Sequence, residues 1–435
     1  MRKFVVGLVT FAGMASGAMA ADGPVSTVTA ADTVWVLLAS ALVMLMTPGL
    51  AFFYGGLVRR KNILSILMQC FMILCLISLQ WMFFGYSMAF GPDVGGVVGN
   101  LDWMGLKGVG AEASSYAPKV PHAAFVIFQM MFAVITPALI VGAFAERIRF
   151  SALCLFSVLW STVVYDPVAH WVWGEGGFLR RFGVLDFAGG MVVHINAGMA
   201  ALAAVLVMGR RHGFPNSISP PHNLPLAALG MALLWFGWYG FNAGSALEAN
   251  GIAVNAFLVT HAAGAVAGLV WSILDWMRFG KPTTLGMITG AVAGLAAVTP
   301  GAGFVSLSGA IWIGIFSGII CWMAVTAVKA KYNYDDSLDA FGVHGVGGIW
   351  GTIAVGIWAT LGVNPGGANG LVYGNPSLLG KQLVGVLVVG VYSFVMSWVL
   401  FRLVNLVIPL RVSEQDERIG LDLTQHREAG YTVID

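Results

Sequence analysis

Charge is what this chain has least of. Lys, Arg, Asp and Glu make up 10% of its 435 residues, against the roughly 25% of an ordinary soluble domain. That excludes a water-facing surface around the whole molecule. The few charges nearly cancel, net +2, so nothing points to nucleic acid. Cysteine is equally sparse. Cys70, Cys75, Cys154 and Cys321 lie inside apolar runs without metal-ligand spacing, which excludes a disulfide framework or a zinc site and reads as small buried apolar residues. No cofactor-binding motif, metal set or activated nucleophile accompanies the Asp and His residues, so no cofactor is expected. An enzyme is not the leading class either, although Asp and His can perform acid–base chemistry.

What is abundant is apolar surface. Hydrophobic residues make up 58% of the chain, with 57 glycines, and mainly apolar runs of 18 or more residues recur from end to end. This is the pattern of a polytopic helical protein seated in a lipid bilayer, with glycine where helices approach closely. Arg2 and Lys3 precede a short apolar stretch ending at Ala18-Met19-Ala20. Residues 1–20 are therefore expected to be a cleavable signal peptide, the alternative being an uncleaved first span.

Eleven spans follow, near 33–57, 62–90, 121–145, 150–172, 186–209, 223–247, 251–277, 283–300, 304–328, 340–361 and 379–410. A cleaved signal leaves the mature N-terminus outside. The inward loops then hold Arg59, Arg60, Lys61, Arg147, Arg149, Arg210, Arg211, Arg278, Lys281, Lys329 and Lys331, and the outward loops hold Lys107, Lys119, Arg180 and Arg181. That bias fits the positive-inside rule and an odd span count. The fold class is all-α, with two inverted five-helix repeats plus a C-terminal helix. The membrane domain covers 21–410, and a cytoplasmic tail covers 411–435. His194 on the fifth span and His344 on the tenth occupy corresponding places, which suggests one site shared between the repeats at mid-membrane. Each sits in a Gly-rich stretch with an aspartate, Asp186–Gly198 and Asp339–Gly348, and ionisable groups in a span are functional candidates.

The stretches Asp186–Gly198 and Phe341–Gly348 resemble the ammonium transporter family (Amt/Mep/Rh). So do Gly142-Ala143-Phe144-Ala145-Glu146-Arg147 and Gly237-Trp238-Tyr239-Gly240-Phe241-Asn242-Ala243-Gly244-Ser245, and the resemblance covers essentially the whole mature chain. It implies uptake of ammonium or ammonia across the bacterial cytoplasmic membrane by a homotrimer with one pore per subunit. Carried over by position, it puts Phe128, Trp173 and Ser245 at an outer recruitment site and Asp186 beside it. Phe132 and Phe241 would be stacked gates, with Trp238, His194 and His344 lining the pore. The spacing is compatible: Phe128 and Phe132 are one turn apart, and Trp238, Phe241 and Ser245 form one stripe. Asp186 and His194 would be about 12 Å apart along a helix. The Trp173, Trp238 and Ser245 set favours the ammonium-recruiting branch over the Rh branch. A sensor is the second reading, although sensor members typically add a signalling domain or lose the pore histidines.

Blander roles suit other residues. His261 is expected to be a satisfied core histidine and His170 structural. Asp186 is expected to act mainly as a helix cap with an electrostatic role, with direct cation binding as the alternative. Asp339 is expected to cap the tenth span, and Glu146-Arg147-Ile148-Arg149 to anchor an inward loop. The family implies a folded tail that contacts a neighbouring subunit and helps to bind a PII-type nitrogen signalling protein. Here Arg427 stands where that tail usually has glycine.

Overall fold

The computed structural model describes residues 27–216 and 220–431, so the expected signal segment lies outside the described residues. Eleven helices among the described residues are long and apolar enough to cross a membrane. In order they are Ala30–Leu57, Arg60–Phe90, His122–Phe144, Phe150–Phe182, Gly190–Met208, Leu224–Gly244, Gly251–Phe279, Thr284–Gly301, Leu307–Tyr332, Phe341–Trp358 and Pro376–Val407. They are numbered here as spans 1 to 11. The face where span 1 begins is the near face, and the opposite one is the far face.

Local chemistry sets where many of these helices start. Side chains of Thr29, Asn223, Thr283, Ser306 and Asn375 accept a backbone N–H of the first turn of spans 1, 6, 8, 9 and 11, satisfying donors that a helix leaves unpaired. Large apolar side chains such as Leu406, Met277 and Val407 are exposed on the outer flank, where lipid rather than water suits them. The cysteine expectation is corrected for the same reason: Cys70 and Cys321 are buried, Cys154 is half-buried and Cys75 is exposed on a flank. An apolar run in a bilayer has two apolar sides, so hydropathy alone does not say which side faces protein.

Span 1 enters from the near face and span 6 from the far face, so spans 1–5 and 6–10 are inverted repeats and span 11 stands outside them. Spans 1 and 6 pack with small residues in contact, Gly49 against Gly230 and Leu233. Spans 5 and 10 cross with a local two-fold relation. Gly198 of span 5 backs onto His344 and Gly345, and Gly348 of span 10 backs onto His194 and Ile195. No side chain fits at either point, because a Cβ would meet the other backbone.

The 91–121 connection on the near face, unassigned from sequence, folds into two short hairpins, Asp93–Val94 with Val98–Gly99 and Ala113–Ser114 with Ala117–Pro121. On the far face, buried charges tie the loops together. Glu146 accepts from Arg59 Nε at 2.8 Å, Asn62 Nδ2 at 2.8 Å and Arg211 Nη1 at 3.1 Å. Arg211 Nη2 also donates to Asp335 Oδ1 at 2.8 Å. Burial pushes the Glu146 carboxyl up, but Arg59 and Arg211 outweigh it and hold it below the usual range. The loop-anchor expectation for this stretch therefore fits. The tail packs on its own chain: Arg411 Nη2 donates to Glu417 at 2.7 Å, and Asp422 accepts from Ser65 N at 2.8 Å.

Candidate functional site

Two helix starts build the site. Span 5 begins at Gly190 rather than at 186, and Asp186 folds over its N-terminus. One carboxylate oxygen accepts Gly189 N–H at 2.9 Å and Gly190 N–H at 2.6 Å, and the other accepts Met191 N–H at 2.7 Å and Val192 N–H at 3.2 Å. A carboxylate has about four acceptor positions, and all are used. The straight-helix separation expected between Asp186 and His194 is corrected accordingly. The Asp186 backbone carbonyl also accepts Trp173 Nε1 at 2.8 Å, so the cap positions the tryptophan.

The corresponding residue of span 10 is Asp336, not Asp339. It lies eight residues before His344, as Asp186 lies eight before His194, and it accepts Ala340 N–H at 3.1 Å and Phe341 N–H at 2.8 Å. Asp339 instead takes a left-handed backbone (φ 60°) and accepts Lys329 Nζ at 2.6 Å. Both spans open with a π-helical turn carrying the histidine, Gly190–Ile195 and Phe341–Gly345.

The two imidazoles face each other at the centre, rings 13° from parallel, centroids 5.3 Å apart, with their Nδ1 atoms 3.3 Å apart. One Nδ1 must carry the shared proton and the other must accept it. In the neutral pair one outward Nε2 is then an acceptor and the other a donor. His194 Nε2 is buried and has no partner among the described residues. Trp238 stacks on His194 at 5.5 Å, its Nε1 donating to Thr299 Oγ1 at 2.9 Å.

Toward the near face, the Phe132 and Phe241 rings lie 4.2 Å apart. Beyond them is a cavity of about 210 Å³ whose lining includes Phe132, Trp173, Ser245, Gln129 and Arg180. Trp173 meets Phe132 edge to face at 5.9 Å. Ser245 Oγ donates to Phe241 O at 2.8 Å, which leaves its lone pairs free to accept. Phe128 is buried against Phe132, centroids 5.0 Å apart, and does not line this cavity. A small central space of about 10 Å³ touches His194, His344, Trp238 and Phe241, close to the minimum that holds one water. A far cavity of about 260 Å³ begins at His344 and includes Asp339, Asp275 and Arg211.

Sequence reasoning missed Gln129, Arg180 and Asp336. The eight-residue Asp-to-His spacing was the available signal for Asp336. Gln129 directly follows Phe128, but on a helix it turns to a different face. His170 is held on both sides, Nδ1 3.0 Å from Ala89 O and Nε2 2.9 Å from Asp93, in line with a structural role. His261 is not a core residue: it lies exposed on the flank, with Nδ1 2.8 Å from Tyr239 Oη. One polar residue on an apolar helix reads the same from sequence whether its face turns inward or outward.

Eleven candidate crossings among the described residues, in two inverted repeats, with a cavity on each face and a buried histidine pair between them, put the chain in the class of polytopic transport proteins. The sequence profile of the Ammonium Transporter Family matches residues 34–431. An ammonium transporter of Bacillus subtilis is 50% identical over 92% of this chain and 98% of its own length. The transporter Amt1 of Archaeoglobus fulgidus is 49% identical over 92% and 99%. Among solved structures, Saccharomyces cerevisiae Mep2 aligns with a TM-score of 0.85 at 36% identity, covering 89% of this chain and 88% of that one. A structure described as a sensor Amt protein aligns at 0.83 with 30% identity, over 91% and 98%. The chain belongs to the ammonium transporter family.

Proposed function

We propose that this chain takes up ammonium through a pore that runs from the near cavity, past Phe132 and Phe241, along His194 and His344, to the far cavity. The observation that carries this reading is the file of side chains joining the two cavities, with an unpartnered buried His194 Nε2 at its centre. In the near cavity the Trp173 ring attracts a partly desolvated cation, and Ser245 Oγ accepts one of its hydrogen bonds. Asp186 acts through structure, by fixing the span 5 start and Trp173. Phe128 contributes by backing Phe132.

Magnitudes select the permeating form. Moving a bare ammonium-sized ion into low dielectric costs ~20 kcal/mol in the idealised limit, and still several after relaxation. Removing its proton at pH 7 costs at most about 4–5 kcal/mol, taking a Lys-like value near 10.4 as the upper bound. The proton therefore leaves ammonium before the Phe132–Phe241 stack, either to water on the near side or onward, separately from ammonia, to the paired imidazoles. Potassium has no equivalent step. Past the stack, the donor and acceptor Nε2 atoms of the paired imidazoles serve ammonia in turn or relay its proton. The near face is then outside the cytoplasmic membrane of a bacterium and the far face is cytoplasmic. Three subunits assemble, and the tail, with a PII-type partner at the far cavity mouth, regulates flux.

The test is purified protein in sealed liposomes on a supported membrane, pulsed with ammonium and separately with potassium. Wild type is compared with His194→Ala, His344→Ala and the double variant. An ammonium-only current, lowered at least tenfold or made potassium-permeable in the variants, supports electrogenic transport. Vesicle alkalinisation without current supports neutral ammonia conduction. Silence in both, with measurable ammonium binding, rejects transport in favour of a sensor.

A further inference from the structure

The near face carries few basic residues, and two of them are the neighbours Arg180 and Arg181. Arg181 is explained by Asp93, whose Oδ2 lies 3.6 Å from its Nη2. Arg180 has no carboxylate partner among the described residues. Its Nη1 donates to the Trp173 carbonyl at 2.6 Å, and its side chain lines the near cavity. Glu175, close by in sequence, turns aside to accept Ser115 Oγ at 3.0 Å and does not line that cavity. Asp186 gives both carboxylate oxygens to its own helix. The cavity read above as a cation collector thus has one fixed positive charge and no acidic side chain in its lining.

We infer that Arg180 is a specificity-determining residue of this cavity, one that disfavours any cation there and biases bound ammonium toward losing its proton. The inference rests on the recruitment reading given above. Like charges disfavour the charged form of a titrating group, whereas neutral ammonia feels no such repulsion. The lining also has acceptors that hold N–H groups of either form: Ser245 Oγ, and Gln129 Oε1, which is buried without a partner among the described residues. The division of labour follows. Acceptors and the Trp173 ring retain the substrate, and the guanidinium penalises only its charge.

Half-saturation for ammonium, measured on the same supported-membrane vesicles, tests this with Arg180→Gln and Arg180→Lys at low and high concentrations of an impermeant salt. The Debye length falls from roughly 30 Å at 0.01 M to 3 Å at 1 M, so a Coulombic effect must fade between them. Arg180→Gln is expected to lower half-saturation about two- to fivefold at low salt, with Arg180→Lys staying near wild type and the difference closing at high salt. Three results overturn the inference: Arg180→Gln matching wild type at low salt, a difference that survives high salt, or Arg180→Lys behaving like Arg180→Gln. The last would assign the effect to the bond with the Trp173 carbonyl. Trp173→Leu separates the two layers of argument. If it raises half-saturation while Arg180→Gln does nothing, only this inference falls; if neither moves it, the recruitment reading itself falls.

Discussion

Spans 5 and 10 start from opposite faces with the same device and different fittings. At the near start, Asp186 accepts four backbone N–H groups, and three residues on, Gly189 takes a left-handed conformation (φ 109°). At the far start, Asp336 accepts two N–H groups from its own helix, and the left-handed position is filled by Asp339 (φ 60°), paired with Lys329. The near version is closed and adds no acidic side chain to the cavity beside it. The far version brings a charged residue, Asp339, into the far cavity. One supersecondary unit, duplicated and inverted, therefore stands beside a mainly aromatic cavity on the near face and a more ionic one on the far face. The capping aspartate, the histidine and the crossing glycine are kept on both sides of the centre.

The largest asymmetry should appear when each cap is neutralised. A hydrogen bond to a charged group contributes about 1.5–3 kcal/mol, and an abandoned buried donor costs about as much. Asp186→Asn, which leaves at least two N–H groups without an acceptor, is expected to destabilise the protein by about 3–5 kcal/mol in thermal unfolding in detergent. Asp336→Asn should cost about 1–2 kcal/mol. Equal losses would mean that the two caps are interchangeable.

The left-handed positions come next. At Gly189 an added Cβ would press on Val193 as well as force a disfavoured backbone, so Gly189→Ala is expected to cost about 1–3 kcal/mol. Asp339→Gly should stay within about 1 kcal/mol of wild type, because relief of a non-glycine left-handed residue offsets the lost Lys329 pair. The same unfolding series checks both, and a large loss at Asp339 would show the ion pair to be the stronger element.

The smallest effect is in pH. Burial raises the Asp336 carboxyl above the ordinary carboxylate value, nearby Asp339 raises it further and Lys329 offsets this only in part, which brings it to about 6. An acid raised in the folded state favours the protonated form on folding. Its stabilisation is fully present below pH about 4 and is lost as pH rises through the raised value. Unfolding temperature should therefore fall slightly over that interval in wild type and not in Asp336→Asn. Parallel curves for the two proteins would remove Asp336 as the source.

The sequence carried the spans and the repeats well, because membrane crossings need long apolar runs, and the shared repeat position of His194 and His344 pointed to their meeting at the centre. It carried helix starts less well. A π-helical opening has no hydrophobic signature, and an aspartate that caps from four residues upstream reads as the first residue of the span. Asp339 stands next to the motif, while Asp336 does the capping. The tail shows the reverse case. Arg427 departs from the glycine usual in the family's tail, and the structure gives it φ 60°, a conformation that suits glycine.

The glycine crossing of spans 5 and 10 also bears on how the protein is made. Gly198 lies directly on Gly345, and His194 meets its partner only when residue 344 is in place. A ribosome delivering the chain from its N-terminus inserts span 5 long before span 10. During that interval the first repeat has an aspartate-capped helix and a histidine with no opposing wall. The histidine pair is thus among the last features of the fold to be completed in biogenesis.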